Sequence, residues 1–188
     1  NRTTSADLGQ WKLRHANAQF LLKNYETATK NYAEIIENTS FSADLAEVAM
    51  YQAAETHYRH FYQLIAGSTD KKALKAPKVY QGKIDSSLQQ LEASTLVYAD
   101  RFPEKERAYD LLLSSASAYR EVEQLNKSSI FWQRILAGSS SPMQRAASIR
   151  GMLYASLTVG TLDRTIDLAQ LYLDSEKWKQ LGKDLEKE

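Results

Sequence analysis

The amino-acid sequence predicts an all-α protein, and three observations support this prediction. Apolar residues recur at spacings of three and four along most of the chain, as they do on one face of a helix. Only seven Gly and three Pro occur in 188 residues, which is few for the many turns of an all-β protein. Finally, Leu91, Ser128 and Thr165 lie 37 residues apart and each begins a similar helical pattern, which indicates stacked helical repeats.

The N-terminal part of the chain is predicted to begin with a helical hairpin. The apolar series at 11–21 is broken at Asn24 and resumes at Tyr25. Ser42 is a suitable N-cap for a third helix, because its hydroxyl can accept a hydrogen bond from an amide of the first turn. We expect this third helix to be long and to cover about 43–66.

The C-terminal part is predicted to contain five more helices before the last segment. The first two are expected at 79–101 and 104–123, and Trp132 lies in the third. Pro142 follows a Gly- and Ser-rich linker, as is common between helices, and a further hairpin is expected to turn near Gly160.

We predict that residues 1–188 form a single helical domain with four parts. An N-terminal block, 1–66, is followed by a Lys-rich loop, 67–78, in which Gly and Pro interrupt the helical pattern. The C-terminal block is 79–174. The last segment, 175–188, has the amphipathic pattern of a capping helix that covers the exposed end of a repeat array.

The composition excludes several classes of function. The 24 basic and 23 acidic residues are interspersed and give a net charge of +1, so no charge pattern points to nucleic acid or to an anionic membrane surface. The chain has no Cys, which rules out thiolate catalysis and Cys-based zinc sites. It also lacks Gly-rich phosphate loops and hydrolase motifs, and no apolar stretch is long enough to cross a bilayer. We therefore predict a protein that is not an enzyme, needs no cofactor and has no membrane span.

A metal site is the main chemical alternative. His57 and His60 are three residues apart in a predicted helix and could bind a metal together with His15 or Glu55. The chain has only three His and no Glu-x-x-His pair, so a surface or groove-lining role is favoured for these residues. We predict no metal site.

The repeated pattern resembles the tetratricopeptide repeat (TPR) family, in which paired helices carry small residues where they cross and large residues around the crossing. Repeat one has matching residues at Ala16, Phe20, Tyr25, Ala28, Tyr32 and Ile35, and repeat three at Ala116, Tyr119, Leu125, Ser128, Trp132 and Ile135. Repeat four is looser, with Leu153, Gly160, Leu162, Thr165, Ala169 and Tyr172 in order. The bulky Leu153 stands at a position that is small in the family, so Gly151 or Ala155 is expected to make the close contact.

Repeat two departs from this pattern. Ala53, Ala54 and Tyr58 fit a first helix, but the second helix, through Leu91, begins about 25 residues late. We expect elongation of both helices of this repeat together with the Lys-rich loop. The resemblance implies a right-handed α-solenoid of about four antiparallel helix pairs, the second elongated, with a C-terminal capping helix.

The resemblance also implies a location. The segment 98–103, which connects two predicted helices, is similar to the connecting segments of bacterial envelope TPR proteins. The chain also begins at Asn1 rather than Met, as a mature or excised form does. We therefore expect a periplasmic or outer-membrane-associated protein, with a cytoplasmic location as the alternative.

In the TPR family the first helix of each pair lines the concave surface that binds a partner. The resemblance therefore implies a scaffold that binds a peptide segment or a partner protein there. Leu13 and Tyr51 stand where a clamp for a terminal carboxylate would need basic residues, so that mode of binding is not expected. An alternative is a structural module that forms homo-oligomers through its long inserted helices and its C-terminal helix. The predicted partner-binding residues are Asn17, Tyr51, Glu55, Tyr58, Arg59, Arg120, Glu121, Arg150 and Tyr154.

Overall fold

The computed structural model describes residues 5–67 and 78–161, together with a few positions between 163 and 170, and it describes the backbone alone at 78–80. Every regular element in the described residues is an α-helix, which confirms the all-α prediction. The Lys-rich loop, apart from its ends, and the predicted capping helix at 175–188 lie outside the described residues. Among the described helices, none is both long and apolar enough to cross a membrane.

The chain divides into two compact units, Asn1–Phe102 and Pro103–Glu188. The described helices of unit 1 are α1 (Ser5–Leu21), α2 (Tyr25–Glu37), α3 (Ala43–Gly67) and α4 (Lys78–Arg101). Those of unit 2 are α5 (Glu106–Glu121), α6 (Leu125–Gly138) and α7 (Pro142–Val159). Within each unit, consecutive helices pack against each other.

Unit 1 begins with the predicted hairpin, α1–α2. Ala16 on α1 and Ala28 on α2 are fully buried, and such small side chains allow two helix backbones to approach closely. Tyr32 and Ile35 complete this core and are also fully buried. The backbone amide of Leu45 donates to the Ser42 hydroxyl (3.3 Å), as expected of an N-cap for α3.

The two long helices predicted at 43–66 and 79–101 are present, since α3 has 25 residues and α4 has 24. One stripe of α4 is buried along its whole length and packs in unit 1. Its members are Ile84, Leu88, Leu91, Thr95 and Tyr98, each at most 2% exposed. Since α3 and α4 pack together, the boundary between the compact units falls at 102–103 and not at the predicted block boundary of 67–78.

Unit 2 repeats the packing of the first hairpin with other side chains. Ala116 on α5 and Ser128 on α6 are fully buried at the crossing, and the Ser128 hydroxyl donates to the Ala116 carbonyl (2.5 Å). Gly151 on α7 lies against the indole of Trp132, so that a Cβ at this position would overlap the ring. The small residue of the fourth repeat is therefore Gly151, and the bulky Leu153 is half-buried beside it.

The turns that follow α1 and α5 have the same backbone geometry. Lys23 and Glu123 adopt positive φ angles of 61° and 58°. The amide of each donates to the carbonyl three residues earlier, and the amides of Asn24 and Gln124 donate to the carbonyl five residues earlier, all at 2.9–3.0 Å. This pair of bonds around a left-handed residue is the Schellman motif, which satisfies carbonyl groups that a helix end leaves open.

One detail of the predicted apolar stripe of α1 is wrong. Trp11 is 63% exposed and stacks on His15, with ring centroids 5.6 Å apart. Leu13, two residues later, is the residue that packs in the core. Two residues correspond to roughly 200° around a helix, so Trp11 and Leu13 point in nearly opposite directions.

Candidate functional site

The hydroxyl of Tyr32 contacts one predicted binding residue of unit 1 and is influenced by the charge of another. This hydroxyl donates to Asn17 Oδ1 at 2.6 Å. Burial, and to a lesser extent the negative charge of Glu55, raises the pKa of Tyr32 to about 12. The phenol therefore stays protonated and acts as a donor to α1.

The other predicted residues of unit 1 lie along α3. Glu55 and Arg59 form an i,i+4 ion pair (3.3 Å), and the Arg59 side chain is 55% exposed. The Arg59 guanidinium is 6.0 Å from the centre of the Tyr58 ring. Tyr51 is half-buried and meets Tyr98 of α4 edge-on, with centroids 5.8 Å apart, so its ring also contributes to helix packing.

The predicted residues of unit 2 are more exposed. Arg120 and Glu121 lie at the end of α5, with 3.8 Å between Arg120 Nη2 and Glu121 Oε1, and the side chain of each is nearly half exposed. Arg150 and Tyr154 are exposed on α7, one turn apart. Tyr154 is 53% exposed, which is high for an aromatic residue in a helix whose other face is buried.

A partly buried polar contact joins α5 and α7. Gln144, near the start of α7, donates from Nε2 to Asp110 Oδ1 of α5 at 2.8 Å. Its side-chain oxygen accepts a hydrogen bond from the Ser139 hydroxyl (2.5 Å), and Gln144 is only 5% exposed. Helices α5 and α7 are thus held side by side, as are α1 and α3 in unit 1.

The sequence did not predict a concave feature that the structure shows in unit 1. Helices α2 and α4 form its walls and α3 forms its floor, and it encloses about 690 Å³. We call it the α2–α4 cleft. Its charged and hydrogen-bonding residues include Glu26, Lys30, His57, His60, Lys83 and Ser87.

The two imidazoles on the floor of the cleft have lowered pKa values. Burial, and to a lesser extent the neighbouring His60, lowers the pKa of His57 to about 4. Burial also lowers the pKa of His60, with Lys83 acting in the same direction and Glu26 opposing it. Both shifts favour the neutral imidazole, because removal from water penalises the charged form.

Two buried polar atoms of cleft-lining residues have no hydrogen-bond partner among the described residues. They are Nδ1 of His57 and the hydroxyl oxygen of Ser87, which is 2% exposed. An unsatisfied buried group of this kind costs about 1–3 kcal/mol, so such groups are uncommon and point to functional positions. Since neither atom bonds to the other, Ser87 and His57 do not form an activated Ser–His pair.

The cleft escaped sequence reasoning because three separate helices build it. The sequence predicts a surface or groove-lining role for His57 and His60. No sequence pattern marks Gly82 on α4 as part of a site. A Cβ at Gly82 would meet no atom within 4 Å, which shows how open this part of the wall is. The available signal was the spacing of the two imidazoles combined with small residues on the facing stretch of α4.

Within the described parts of the chain, no group of three His, Cys, Asp or Glu side chains could hold a metal ion. No protein-family model, curated protein or solved structure compared with the chain shows significant similarity to it.

Proposed function

We propose that this chain is a TPR-like right-handed α-solenoid of about four helix pairs that acts as a scaffold for protein–protein interaction. The first helices of the pairs bind a peptide segment or a partner protein. The scaffold works in the periplasm or at the outer membrane of a bacterium, as part of an envelope assembly.

The packing within each unit supports the TPR-like architecture. In both units the first helix of a pair contacts its own second helix and also the first helix of the next pair. Small residues occupy the crossings, namely Ala16 with Ala28 and Ala116 with Ser128. Helix pairs stacked in this way leave one face of the first helices outside the core, where a partner can bind.

The observation that carries the proposal is the exposure of Arg120, Arg150 and Tyr154 on adjacent first helices of unit 2. Their helices are packed through other residues, such as Gln144 and Gly151, so the exposed three are not needed for the fold. Arg and Tyr combine a large contact area with directional hydrogen bonds and are enriched among residues that dominate binding energy.

The test begins with capture of a partner from periplasmic and cytoplasmic extracts, followed by calorimetric titration of the purified partner. We expect Arg120→Ala and Tyr154→Ala each to weaken binding at least about tenfold, as hot-spot residues do. The melting temperature should stay nearly unchanged, because both side chains are exposed. Gln133→Ala, an exposed position on the second helix α6, is the matched control and should bind like the unmodified protein.

If Arg120→Ala and Tyr154→Ala lower stability substantially while binding is unchanged, the first-helix surface is not the binding surface. Capture from the cytoplasmic extract alone would overturn the proposed location but not the scaffold.

The alternative is a structural module that assembles homo-oligomers. The lengths of α3 and α4, 25 and 24 residues, and the 56% exposure of Val97 on α4 favour this possibility, because an exposed apolar residue on a long helix can pack against a second copy. Sedimentation equilibrium over a range of concentrations separates the two functions. A stable dimer that Val97→Asp dissociates would favour the oligomerisation module.

A further inference from the structure

We propose that the α2–α4 cleft of unit 1 binds a small organic monocarboxylate that also carries a hydrogen-bonding group, such as a hydroxy acid. None of the described lining residues of the cleft is among the proposed partner-binding residues, although α3 contributes to both. The proposal therefore stands or falls independently of the scaffold function.

The size of the cleft suits a small molecule. Its volume of about 690 Å³ lies within the range of roughly 300–1,000 Å³ that is usual for ligand sites. Leu64 and Gly82 contribute apolar surface, while most other lining residues are polar or charged. A ligand here would contact three helices at once, which fixes its orientation.

The charge of the cleft selects an anion. Lys30 on α2 and Lys83 on α4 stand on facing walls, and Glu26 offsets one of their two charges. With both imidazoles neutral, the described lining residues carry one net positive charge. This charge matches a single carboxylate better than a phosphate, which carries nearly two charges at neutral pH and prefers the fork of an arginine. No arginine is found among the described lining residues.

The polar atoms that lack partners support a ligand with hydrogen-bonding groups. The Ser87 hydroxyl can donate to a carboxylate or exchange hydrogen bonds with an alcohol, and the neutral His57 ring can serve as donor or acceptor according to its tautomer. A small rearrangement of either side chain would turn its polar atom toward the cleft and relieve the cost of burying it unsatisfied.

The experiment is a titration of the full chain with lactate, with its uncharged counterpart lactamide, and with inorganic phosphate. The imidazole carbon-bound proton resonances of His57 and His60 report binding, and His15, which contacts Trp11 and Asn31 outside the cleft, is the internal reference. We expect lactate to shift both cleft resonances in a saturable manner and leave His15 unmoved. Lactamide and phosphate should bind at least about tenfold more weakly, as the loss of a charge-assisted contact or a mismatch of charge implies.

Two matched pairs of variants test the location. Lys83→Gln should weaken lactate binding about fivefold or more, whereas Lys105→Gln, an exposed lysine of unit 2, should have no effect. Gly82→Phe should weaken lactate binding by placing an aromatic ring in the cleft, whereas Gly82→Ala leaves room for the ligand and should retain the shifts. Gly82→Ala should fold, because a Cβ at this position meets no other atom within 4 Å, and a circular-dichroism spectrum checks the fold of Gly82→Phe.

The absence of a saturable shift with lactate overturns the proposal. Equal binding of lactamide or phosphate also overturns it, because the site would then not be selective for a carboxylate. Lactate binding that persists unchanged in a folded Gly82→Phe variant would place the site elsewhere. None of these outcomes depends on whether Arg120 or Tyr154 binds a partner protein.

Discussion

Hairpins α1–α2 and α5–α6 share a turn and a crossing but differ in the large residue that packs beside them. In the first, Tyr32 is buried and uses its hydroxyl to bond Asn17. In the second, Trp132 is buried and packs against Gly151 of the next helix. The comparison teaches that the two hairpins share a backbone turn, whereas the large residue at one position makes a polar contact back to α1 in the first hairpin and a steric contact with the next helix in the second.

The two units also differ in titratable chemistry. All three His of the chain, at positions 15, 57 and 60, belong to unit 1. Unit 2 contains none, so its stability in mildly acidic solution should be governed by carboxylates alone. The resulting difference in acid sensitivity is the largest change in the free energy of unfolding that we expect between the two units.

Acidification should destabilise unit 1 selectively. The folded pKa of His57, about 4, lies below its unfolded value, so the neutral form is favoured in the fold. The contribution of neutral His57 to the free energy of unfolding is therefore fully present above about pH 6.5. This contribution is lost as the pH falls toward 4, by up to about 3 kcal/mol. Hydrogen exchange of α3 amides compared with α6 amides, between pH 7 and 5, measures the difference.

Two variants show whether His57 is responsible. His57→Gln cannot titrate and should flatten the pH dependence of α3, and His15→Gln should leave it unchanged. Equal loss of protection in α3 and α6 on acidification would contradict the assignment.

The steric contact of unit 2 gives the next effect. Gly151→Ala should destabilise the protein by about 2 kcal/mol, because the added methyl group overlaps the buried indole of Trp132. Gly82→Ala in unit 1 is the matched control and should stabilise by about 1 kcal/mol, since alanine favours a helix and the site is open. Denaturant unfolding measures both, and the comparison fails if the two substitutions have the same sign.

The smallest effect concerns the shared turn. Lys23→Gly and Glu123→Gly should each stabilise by about 0.5–1 kcal/mol, because glycine adopts a positive φ without strain. Gln10→Gly, at an exposed position within α1, should instead destabilise by about 1 kcal/mol. Thermal unfolding of the three variants provides the measurement. A gain at one turn but not at the other would show that the two turns are energetically different.

Much of the fold could be predicted from the sequence because helix periodicity and capping are local properties. The start of α2 at Tyr25, the length of α3 and its N-cap at Ser42 all follow from residues close together in the chain. Trp11 was harder to place, because an apolar residue beside a helix stripe can face the core or the solvent.

The candidate site was less predictable because it depends on tertiary packing. The family resemblance predicts Arg120, Arg150 and Tyr154 as partner-binding residues; the structure shows that they are exposed, and their binding role stays a prediction. The sequence did not reveal the α2–α4 cleft, because His57 and Ser87 are 30 residues apart and only the packing of α3 against α4 brings them to one place. The hydrogen bond from Tyr32 to Asn17 was hidden for the same reason.

The two Schellman turns also bear on how the protein folds. Each turn closes through backbone hydrogen bonds between residues at most five apart, so each hairpin forms with little loss of chain entropy from loop closure. Proteins rich in such local contacts fold quickly. We expect α1–α2 and α5–α6 to be the nuclei of folding, and the long pair α3–α4, whose partners are separated by a longer segment, to dock later.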